Sequence, residues 1–351
     1  MSETDDEGRP LRRGWTTGAC AAAAARAAWT ALTTGAFPDP VEILLPGGQR
    51  PAFALALAEL GEGFARAGVV KDAGDDPDVT HGVLVIATVR RAAPGAGLVF
   101  RAGEGVGTVT RPGLPLAVGE PAINPAPRAI MRANLEGADA VVEISIPGGE
   151  KIAERTLNGR LGILGGLSIL GTTGIVVPYS CAAWIASIHR GIDVARAQGL
   201  THIAGATGST SEKAVQALYG LPETALIDMG DFVGGMLKYV RAHRIEAVTV
   251  AGGVAKMSKL GQGLLDLHSR RGEVDLDWLG RLAPPGVIGK ANTALHAFDL
   301  AQAAGFDLAA PVAEAAWATA AKALGGGRLE VVVFDRAGAL LARTGFREVH
   351  A

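Results

Sequence analysis

The stretch THIAGATGSTS, residues 201–211, decides the predicted fold of the second half of the chain. A short run that favours a strand, residues 201–204, is followed by a glycine-rich loop, residues 205–210, and by a helical segment from Ser211. The same succession of strand, glycine loop and helix begins at three further positions: Leu161, Ala225 and Ala247. Four such units in a row predict an α/β domain with an open, mostly parallel, Rossmann-like sheet.

The first half of the chain has a different pattern. Residues 19–32 are mostly alanine, the strongest helix former, and Thr16 and Thr17 precede them where a capping residue belongs. A second helix at residues 127–135 leads into a strand at residues 140–146. Short apolar runs separated by glycine or proline predict further strands of an antiparallel or mixed sheet, at residues 41–45, 52–58, 68–70, 83–89 and 98–101.

These patterns divide the chain into three parts. We predict a disordered tail over residues 1–12, an α+β domain over residues 13–155, and an α/β domain over residues 156–351 that ends with helices and a hairpin. Within the first domain, VEILLPGG at residues 41–48 is echoed by VEISIPGG at residues 142–149. The echo favours an internal duplication of a helix–strand–turn–strand unit, with chance similarity as the alternative. Different strand environments for the two copies would exclude the duplication.

Composition and charge exclude several classes of protein. The 351 residues are 48% hydrophobic, enough for a sizeable core, and the formal net charge is −2. Such a chain has no general electrostatic attraction to nucleic acid or to an anionic membrane. Residues 1–14 lack the apolar segment of a secretory signal, and Cys20 and Cys181 are expected as reduced thiols, with one disulfide as the alternative. We therefore expect a cytoplasmic protein that binds neither nucleic acid nor membrane.

The glycine loops of the four predicted units form a candidate cofactor site. Parallel sheets bind ligands beyond the carboxyl ends of their strands, where glycine lets backbone amides approach and a helix N-terminus favours an anion. A carboxylate at a strand end, such as Asp228, can accept hydrogen bonds from a pair of ribose hydroxyls. Because no loop matches the dinucleotide or Walker glycine motifs, glycines that serve only the turns are the alternative. The candidates are Gly171, Thr172, Thr173, Gly174, Thr207, Gly208, Asp228, Gly230, Gly252 and Gly253.

The acidic stretch KDAGDDPD, residues 71–78, is a second candidate site. Its aspartates are interrupted by glycine and proline, so the stretch predicts a loop rather than a strand. Such a loop can bind a cation, orient the nitrogens of a substrate, or hold one carboxyl group at a raised pKa for proton transfer. A solvated acidic loop is the alternative.

Four further residues, two lysines and an Asn–Arg pair, stand at positions that suit an anionic ligand, and a fifth candidate is a glutamate on a glycine turn. Lys256 and Lys259 fall in the opening turns of a predicted helix, where positive charge is unfavourable, so either an anion or plain solvation explains them. Asn124 starts a helix that carries Arg128, and Glu104 lies on a tight glycine turn. Asn124 and Arg128 together form either an anion site or an ordinary helix cap. The seven histidines show no metal-ligand spacing, so we predict no metal site.

Five ordered motifs resemble those of one family, the cobalt-precorrin-5B (C1)-methyltransferases of anaerobic cobalamin biosynthesis. The motifs are RGWTTGACA at residues 13–21, KDAGDDPD at 71–78, GEGVG at 103–107, NP at 124–125 and SILGTTG at 168–174. The resemblance runs from about residue 12 to the C-terminal hairpin. Two places depart from the family pattern: Trp15, where Tyr is common, and residues 256–260, where a Gly-Lys-rich run is typical.

The resemblance implies methyl transfer from S-adenosylmethionine to carbon 1 of cobalt-precorrin-5B, giving cobalt-precorrin-6A. The cobalt is then carried by the substrate, and a cleft between the two domains would suit the large flat ring. Asp72 and Asp75 are the implied catalytic residues, which would steer protonation of the macrocycle. The implied substrate-binding residues are Arg13, Thr16, Thr17, Lys71, Asp76, Asp78, Glu104, Asn124, Arg128, Lys256 and Lys259. A homo-oligomer is left open.

Two other functions are alternatives at this point. Glycine loops also suit a nucleotide-binding small-molecule kinase, although the lysine of the Walker motif is absent. A non-catalytic tetrapyrrole carrier would need the same substrate-binding motifs. Binding of S-adenosylmethionine separates the carrier from the enzyme, because a carrier has no need of a methyl donor.

Overall fold

The computed structural model describes residues 9–350, and the chain divides into two compact units, Met1–Cys181 and Ala182–Ala351. Most of the predicted disordered tail, residues 1–8, lies outside the described residues. At its end, however, Arg12 is held in place, because its backbone N–H donates to Asp75 Oδ2 at 2.6 Å. Residues 156–181, which the sequence analysis assigned to the second domain, belong to the first unit.

The first unit is built on a mixed sheet covered by an alanine-rich helix. Its helices are α1 (Thr17–Thr34), α2 (Pro125–Asn134) and α3 (Gly149–Ala153). Its strands are β1 (Gly14–Trp15), β2 (Val41–Glu42), β3 (Ala52–Phe53), β4 (Leu57–Gly61), β5 (Phe64–Val70), β6 (Leu84–Arg91), β7 (Leu98–Ala102), β8 (Thr108–Val109), β9 (Ala140–Ser145), β10 (Ile163–Leu164) and β11 (Ile175–Val176). Five strands form the main sheet in the order β4-β5-β6-β9-β7, and only its last pair, β9 with β7, is parallel.

Helix α1 lies against β5 and β6 of this sheet. The predicted helix is confirmed, and so is its cap: Thr16 Oγ1 accepts a hydrogen bond from the Ala19 N–H at 3.1 Å. Residues 19–25 are completely buried. Their small side chains bring the helix backbone close to the sheet, which explains the alanine content of this segment. Gly35 ends the helix in the left-handed conformation, with φ of +83°.

The hypothesis of an internal duplication is wrong. Strand β2 pairs with β3 in a separate two-stranded sheet, whereas β9 lies between β6 and β7 in the main sheet. After the first Pro-Gly-Gly the chain makes a turn and enters β3, and after the second it enters helix α3. The two similar sequences share a turn, because proline and glycine favour one, but their strands have different partners.

The second unit contains a mostly parallel sheet. Its helices are α4 (Cys181–Ala197), which begins at the last residue of the first unit, α5 (Ser209–Tyr219), α6 (Val233–Ala242), α7 (Val254–Gly261), α8 (Leu276–Leu282), α9 (Ala294–Ala303) and α10 (Ala309–Leu324). Its strands are β12 (His202–Ala206), β13 (Leu226–Asp228), β14 (Ala247–Gly253), β15 (Gly327–Phe334), β16 (Leu340–Arg343) and β17 (Arg347–Val349). The strand order is β13-β12-β14-β15-β16; β13, β12, β14 and β15 run parallel, while β16 and β17 pair antiparallel with β15.

Both faces of this sheet are buried. Val331 and Val333 of β15 belong to one apolar cluster, with helices α6, α7 and α10, whereas Val332 and Phe334 belong to another, on the side of α5. Helices on both faces are the usual environment of parallel strands.

Three of the four predicted strand–loop–helix units are present, in β12–α5, β13–α6 and β14–α7. The fourth, at residues 161–174, is wrong. Here the strand is only Ile163–Leu164, and it pairs antiparallel with β8 of the first unit. Gly162 and Gly165 flank it with φ of +78° and +83°, conformations that end a strand. The fourth parallel strand is instead β15, which the sequence placed only in the final hairpin.

Candidate functional site

The ordered motifs meet in the first unit, where β1 enters helix α1. The Trp15 N–H donates to the Asp72 carbonyl at 2.7 Å, and the Asp75 N–H donates to the Arg12 carbonyl at 2.9 Å. On the other side of the same segment, β1 pairs antiparallel with β11. Residues 12–16 are therefore held between the acidic loop, residues 71–78, and the segment at residues 170–176. We call these three segments the motif cluster.

Glycine is required where the first two segments touch. A Cβ atom on Gly14 would lie 2.0 Å from the Ala73 carbonyl carbon, and one on Gly74 would lie 2.2 Å from the Arg12 carbonyl oxygen. Both distances are far below van der Waals contact, so any side chain here would separate the two backbones. These two glycines therefore serve the close approach of protein segments rather than the approach of a ligand.

The predicted cofactor loop with Gly171, Thr172, Thr173 and Gly174 lies on the N-terminus of α1 and not on the parallel sheet. The Gly18 N–H donates to the Leu170 carbonyl at 3.0 Å, and the Thr16 N–H donates to the Gly174 carbonyl at 3.0 Å. The Thr17 hydroxyl bonds with both the N–H and the carbonyl of Leu170. Thr16, Thr17 and this loop, which the sequence assigned to separate ligands, form one hydrogen-bonded structure.

Asp72 is an ionised carboxylate on the surface of the motif cluster. The Arg12 guanidinium donates to both of its oxygens, and the Gly74 N–H donates to Oδ1 at 2.9 Å. These bonds, led by those from Arg12, lower the pKa of Asp72 to about 2. The raised pKa that the sequence analysis considered for this loop is therefore not found at Asp72. The Asp72 side chain is 43% exposed, so a ligand can reach it.

Lys71, Asp76 and Asp78 hold the acidic loop together. The Lys71 side chain is 1% exposed, and its ammonium group donates to Asp78 Oδ2 at 2.6 Å. Asp78 Oδ1 also accepts from the N–H and the hydroxyl of Thr80. Burial raises the pKa of Asp78, but the bonds from Lys71 and Thr80 outweigh it and leave the pKa below its usual value. Asp76 accepts from the Tyr179 N–H at 2.9 Å, which ties the loop to the segment after β11.

A pocket of about 300 Å³ opens beside Asp72. Trp15 and Phe53 form part of its wall, with ring centroids 5.3 Å apart and planes inclined at 61°. Arg12 and Arg13 of the same segment as Trp15 are exposed. The rest of the lining is apolar, from Ala52, Ala54, Leu55, Ala56, Val69 and Val70. The pocket therefore offers an apolar surface next to a carboxylate, with basic side chains on the adjoining segment.

Three other substrate candidates lie elsewhere in the first unit. The Arg128 guanidinium bonds with neighbouring protein groups. It donates to the Ile123 carbonyl at 2.7 Å and to Glu120 Oε2 at 3.0 Å. Asn124 precedes α2 but makes no side-chain cap; both its backbone N–H and its side chain donate to the Ile169 carbonyl. The Glu104 side chain is exposed on its glycine turn.

In the second unit, the remaining cofactor candidates gather at the carboxyl ends of three adjacent strands. Asp228 ends β13, and its register partner on β12 is Ala206, which also pairs with Ala251 of β14. Thr207 and Gly208 follow β12, Gly230 follows β13, and Gly252 and Gly253 end β14. We call this edge the strand-end rim.

The glycines of the rim differ in the space that a side chain would find at each position. A Cβ atom on Gly252 would lie 2.6 Å from the Met257 methyl group and 2.8 Å from the Thr207 hydroxyl, so packing explains this glycine. A Cβ atom on Gly208 would meet no atom within 4 Å. Gly208 and Gly253 occupy the N-cap positions of α5 and α7. Having no side chain, they cannot cap the first amides of those helices, which remain suited to an anion.

Lys256 and Lys259 have protein partners. Lys256 donates to the Asp231 carboxylate and to the Leu267 carbonyl, the latter at 3.3 Å. Lys259 is buried and donates to the same carbonyl at 3.2 Å. Lys256 lies near the start of α7, but the prediction for Lys259 is wrong, because α7 is short and Lys259 lies in its last turn. The Lys256 charge is balanced by Asp231, and both ammonium groups bond with the loop that follows the helix.

Sequence reasoning missed two residues of these sites. Arg12 was assigned to the disordered tail, since nothing in the sequence pairs it with an aspartate 60 positions away. Trp184 was passed over in helix α4, although it is one of only five tryptophans and follows two alanines. In the structure its indole N–H donates to the Asp228 carbonyl at 3.2 Å.

Residues 9–350 contain neither a candidate membrane span nor a candidate metal site. No helix there is both long and apolar enough to cross a membrane. No three side chains of histidine, cysteine, aspartate or glutamate within that range are grouped so as to hold a metal ion.

Known proteins resemble the chain over nearly its whole length. A family model described as CbiD matches residues 4–178, and that of the CbiD C-terminal domain matches residues 266–345. The cobalt-precorrin-5B C(1)-methyltransferase of Agrobacterium fabrum is 64% identical, covering 97% of this chain and 94% of its own. The enzyme of the same name from Bradyrhizobium is also 64% identical, covering 98% and 96%. These relatives place the chain in the class of methyl-transferring enzymes.

Within that class the chain belongs to the CbiD family of cobalamin biosynthesis. A crystal structure of the cobalamin biosynthesis protein from Archaeoglobus fulgidus is 27% identical. It covers 76% of this chain and 84% of that one, with a TM-score of 0.40.

Proposed function

We propose that this protein transfers a methyl group from S-adenosylmethionine to carbon 1 of cobalt-precorrin-5B, giving cobalt-precorrin-6A. The observation that carries the proposal is the motif cluster: segments that mark the family are joined by direct hydrogen bonds, and Trp15 and Asp72 of this cluster line a pocket. The high identity to methyltransferases supports the same function and argues against the kinase.

We propose that one edge of the macrocycle binds in the pocket beside Asp72. Trp15 and Phe53 supply an apolar surface for a flat conjugated system. Arg13, exposed on the adjoining segment, supplies positive charge for a carboxylate arm of the tetrapyrrole, whereas Arg12 is paired with Asp72. The volume of about 300 Å³ suits an edge of such a ring rather than the whole.

For the methyl donor, we propose the strand-end rim of the second unit. S-adenosylmethionine supplies the methyl group, which is bonded to the positively charged sulfur of its sulfonium. Asp228 ends a strand at the place where a carboxylate accepts bonds from ribose hydroxyls, and the uncapped start of α5 at Gly208 suits the donor's own carboxylate. The open space at Gly208 fits this assignment, since it leaves the amides accessible.

In this reaction Asp72 acts as a fixed negative charge. Because its pKa is about 2, it is already ionised near neutral pH and holds no proton to donate; it stabilises positive charge or accepts a hydrogen bond from a ring nitrogen. Asp75 accepts the Arg12 backbone N–H through Oδ2 and so keeps Arg12 and Asp72 together. Methyl transfer is an in-line displacement, in which positioning and electrostatics supply most of the catalysis.

Two measurements test the function. Calorimetry with S-adenosylhomocysteine tests donor binding, and a protein that binds none would remove the assignment of S-adenosylmethionine as the methyl donor. Anaerobic turnover of cobalt-precorrin-5B then tests the reaction. We expect D72N to lower turnover by roughly 100-fold while S-adenosylhomocysteine binding is unchanged. Full turnover by both D72N and D75N would remove the aspartates from the mechanism.

A further inference from the structure

Trp184 is an exposed aromatic residue fixed to the strand-end rim. It lies in the first turn of helix α4 and is 46% exposed. Its indole N–H donates to the Asp228 carbonyl, and a Cβ atom on Gly230 would lie 3.1 Å from the ring. Phe232 adds a second ring, with centroids 6.5 Å apart and planes inclined at 52°. Part of the indole therefore rests on the turn after β13, and the remainder faces solvent.

This placement differs from that of a packing tryptophan. Trp317, in the same unit, also donates its indole N–H to a carbonyl, that of Leu329, but it is partly buried and packs against the core. Trp184 loses little freedom when a ligand covers it, because its polar edge is already anchored. Its neighbours Ala182 and Ala183 are small and exposed, so no bulky side chain from the first turn of α4 blocks approach.

We propose that the indole of Trp184 stacks with the adenine of the methyl donor, while the Asp228 carboxylate accepts from its ribose. Every purine base offers a π-face to an aromatic side chain, and a vicinal diol suits a carboxylate. The indole N–H bonds with the backbone carbonyl of Asp228, so the ring and this residue belong to the same end of β13, as stacking and ribose binding by one nucleoside require. The inference deepens the proposed donor site and rests on it.

Glycine at position 230 supports the same geometry. Its φ of +51° and its contact with the ring place the turn directly under the indole. A methyl group there would be strained by the positive φ and would force the indole to shift by a few tenths of an ångström. Gly230, which the sequence assigned to the cofactor itself, therefore acts as a positioning residue for Trp184.

The test compares fragments of the donor by titration calorimetry. S-adenosylhomocysteine, adenosine and homocysteine are each titrated into the full chain and into W184A, W184F and L341A. We expect W184A to bind S-adenosylhomocysteine and adenosine roughly 10- to 100-fold more weakly, with homocysteine unaffected. W184F keeps most of the affinity because it keeps a ring. L341A, which shortens an exposed apolar side chain of β16 in the same unit, should bind as the parent does.

Tryptophan fluorescence gives a second readout that does not depend on the alanine variant. Stacking of adenine quenches the indole, so S-adenosylhomocysteine should quench the parent and should lose that quenching in W184F while still binding. Unchanged affinity in W184A, or persistent quenching in W184F, overturns the role of Trp184 and leaves the methyltransferase proposal standing. A parent that binds no S-adenosylhomocysteine overturns both.

Discussion

At the scale of single residues, the motif cluster depends on charged side chains in unlike surroundings. The Arg12–Asp72 pair is exposed, and its effect is a carboxylate held ionised at the surface. In the Lys71–Asp78 pair, the ammonium group of the lysine is buried. The sequence identified three of these residues as functional candidates, but it could not show their pairing, which depends on the fold bringing residue 12 to residue 72. The two pairs predict different responses to substitution.

For the exposed pair, we predict a pH-dependent contribution to stability. The pKa of Asp72 lies below its ordinary value of 3.8, so the native state binds fewer protons than the unfolded state. The contribution is complete above about pH 5 and is lost as the pH falls from about 4 towards 2. Acid-induced unfolding should therefore separate D72N from the parent at pH 5 and bring the two together near pH 2. The control E62Q, at an exposed carboxylate, should follow the parent. A difference that grows on acidification would contradict the assignment.

For the buried pair, we predict that removing the aspartate lowers the free energy of unfolding more than removing the lysine does. D78A leaves an ammonium that is 1% exposed without its carboxylate and should lower the free energy of unfolding by roughly 3–5 kcal/mol. K71M leaves a carboxylate that is 25% exposed and still bonded to Thr80, so its loss should be clearly smaller. Chemical denaturation measures both. Equal losses would mean that the exposure of the surviving partner does not set the cost.

At the scale of elements, glycine decided where sequence patterns succeeded. The strands at residues 201–204, 225–228 and 247–250 are confirmed as β12, β13 and β14. Gly205 lies inside β12 and Gly252 and Gly253 end β14, but none of the three has a positive φ, so they do not interrupt the strands. The run at residues 161–170 failed because glycine lies inside it with positive φ. Helix α1 was found with its cap, since a long alanine run has one strong preference. The strand order and the place of β15 could not be found, because pairing between distant strands leaves no local signal.

The alanine packing of α1 gives a prediction about volume. Ala24 is completely buried in the cluster that joins the helix to the main sheet. A24L adds atoms where the helix and sheet backbones are close, and we expect it to cost about 1–3 kcal/mol in the free energy of unfolding. T33L, in the exposed last turn, should change stability by less than about 0.5 kcal/mol. Denaturant titration of both variants decides the matter, and an A24L protein as stable as the parent would show that the interface has room.

At the scale of the whole molecule, each compact unit contains one of the two family matches. The CbiD match at residues 4–178 lies within the first unit, and the C-terminal match at residues 266–345 lies within the second. The loops of the strand-end rim fall between the two matched segments. The motif cluster, in contrast, lies entirely within the first match. The five motifs that carry the resemblance therefore all lie in the first unit, while the proposed donor site rests on the geometry of the second.

Hydrogen exchange on the whole chain can separate these two sites. If the rim binds the donor, S-adenosylhomocysteine should slow amide exchange at residues 207–210, 229–232 and 252–255, where the strands end and the helices begin. Exchange at residues 170–176 should stay unchanged, because those backbone groups already bond with β1 and α1. D228N serves as the matched variant: at the same ligand concentration it should show weaker protection at all three rim segments. Protection confined to residues 170–176 would instead move the donor to the motif cluster and would restore the original assignment of that loop to the cofactor.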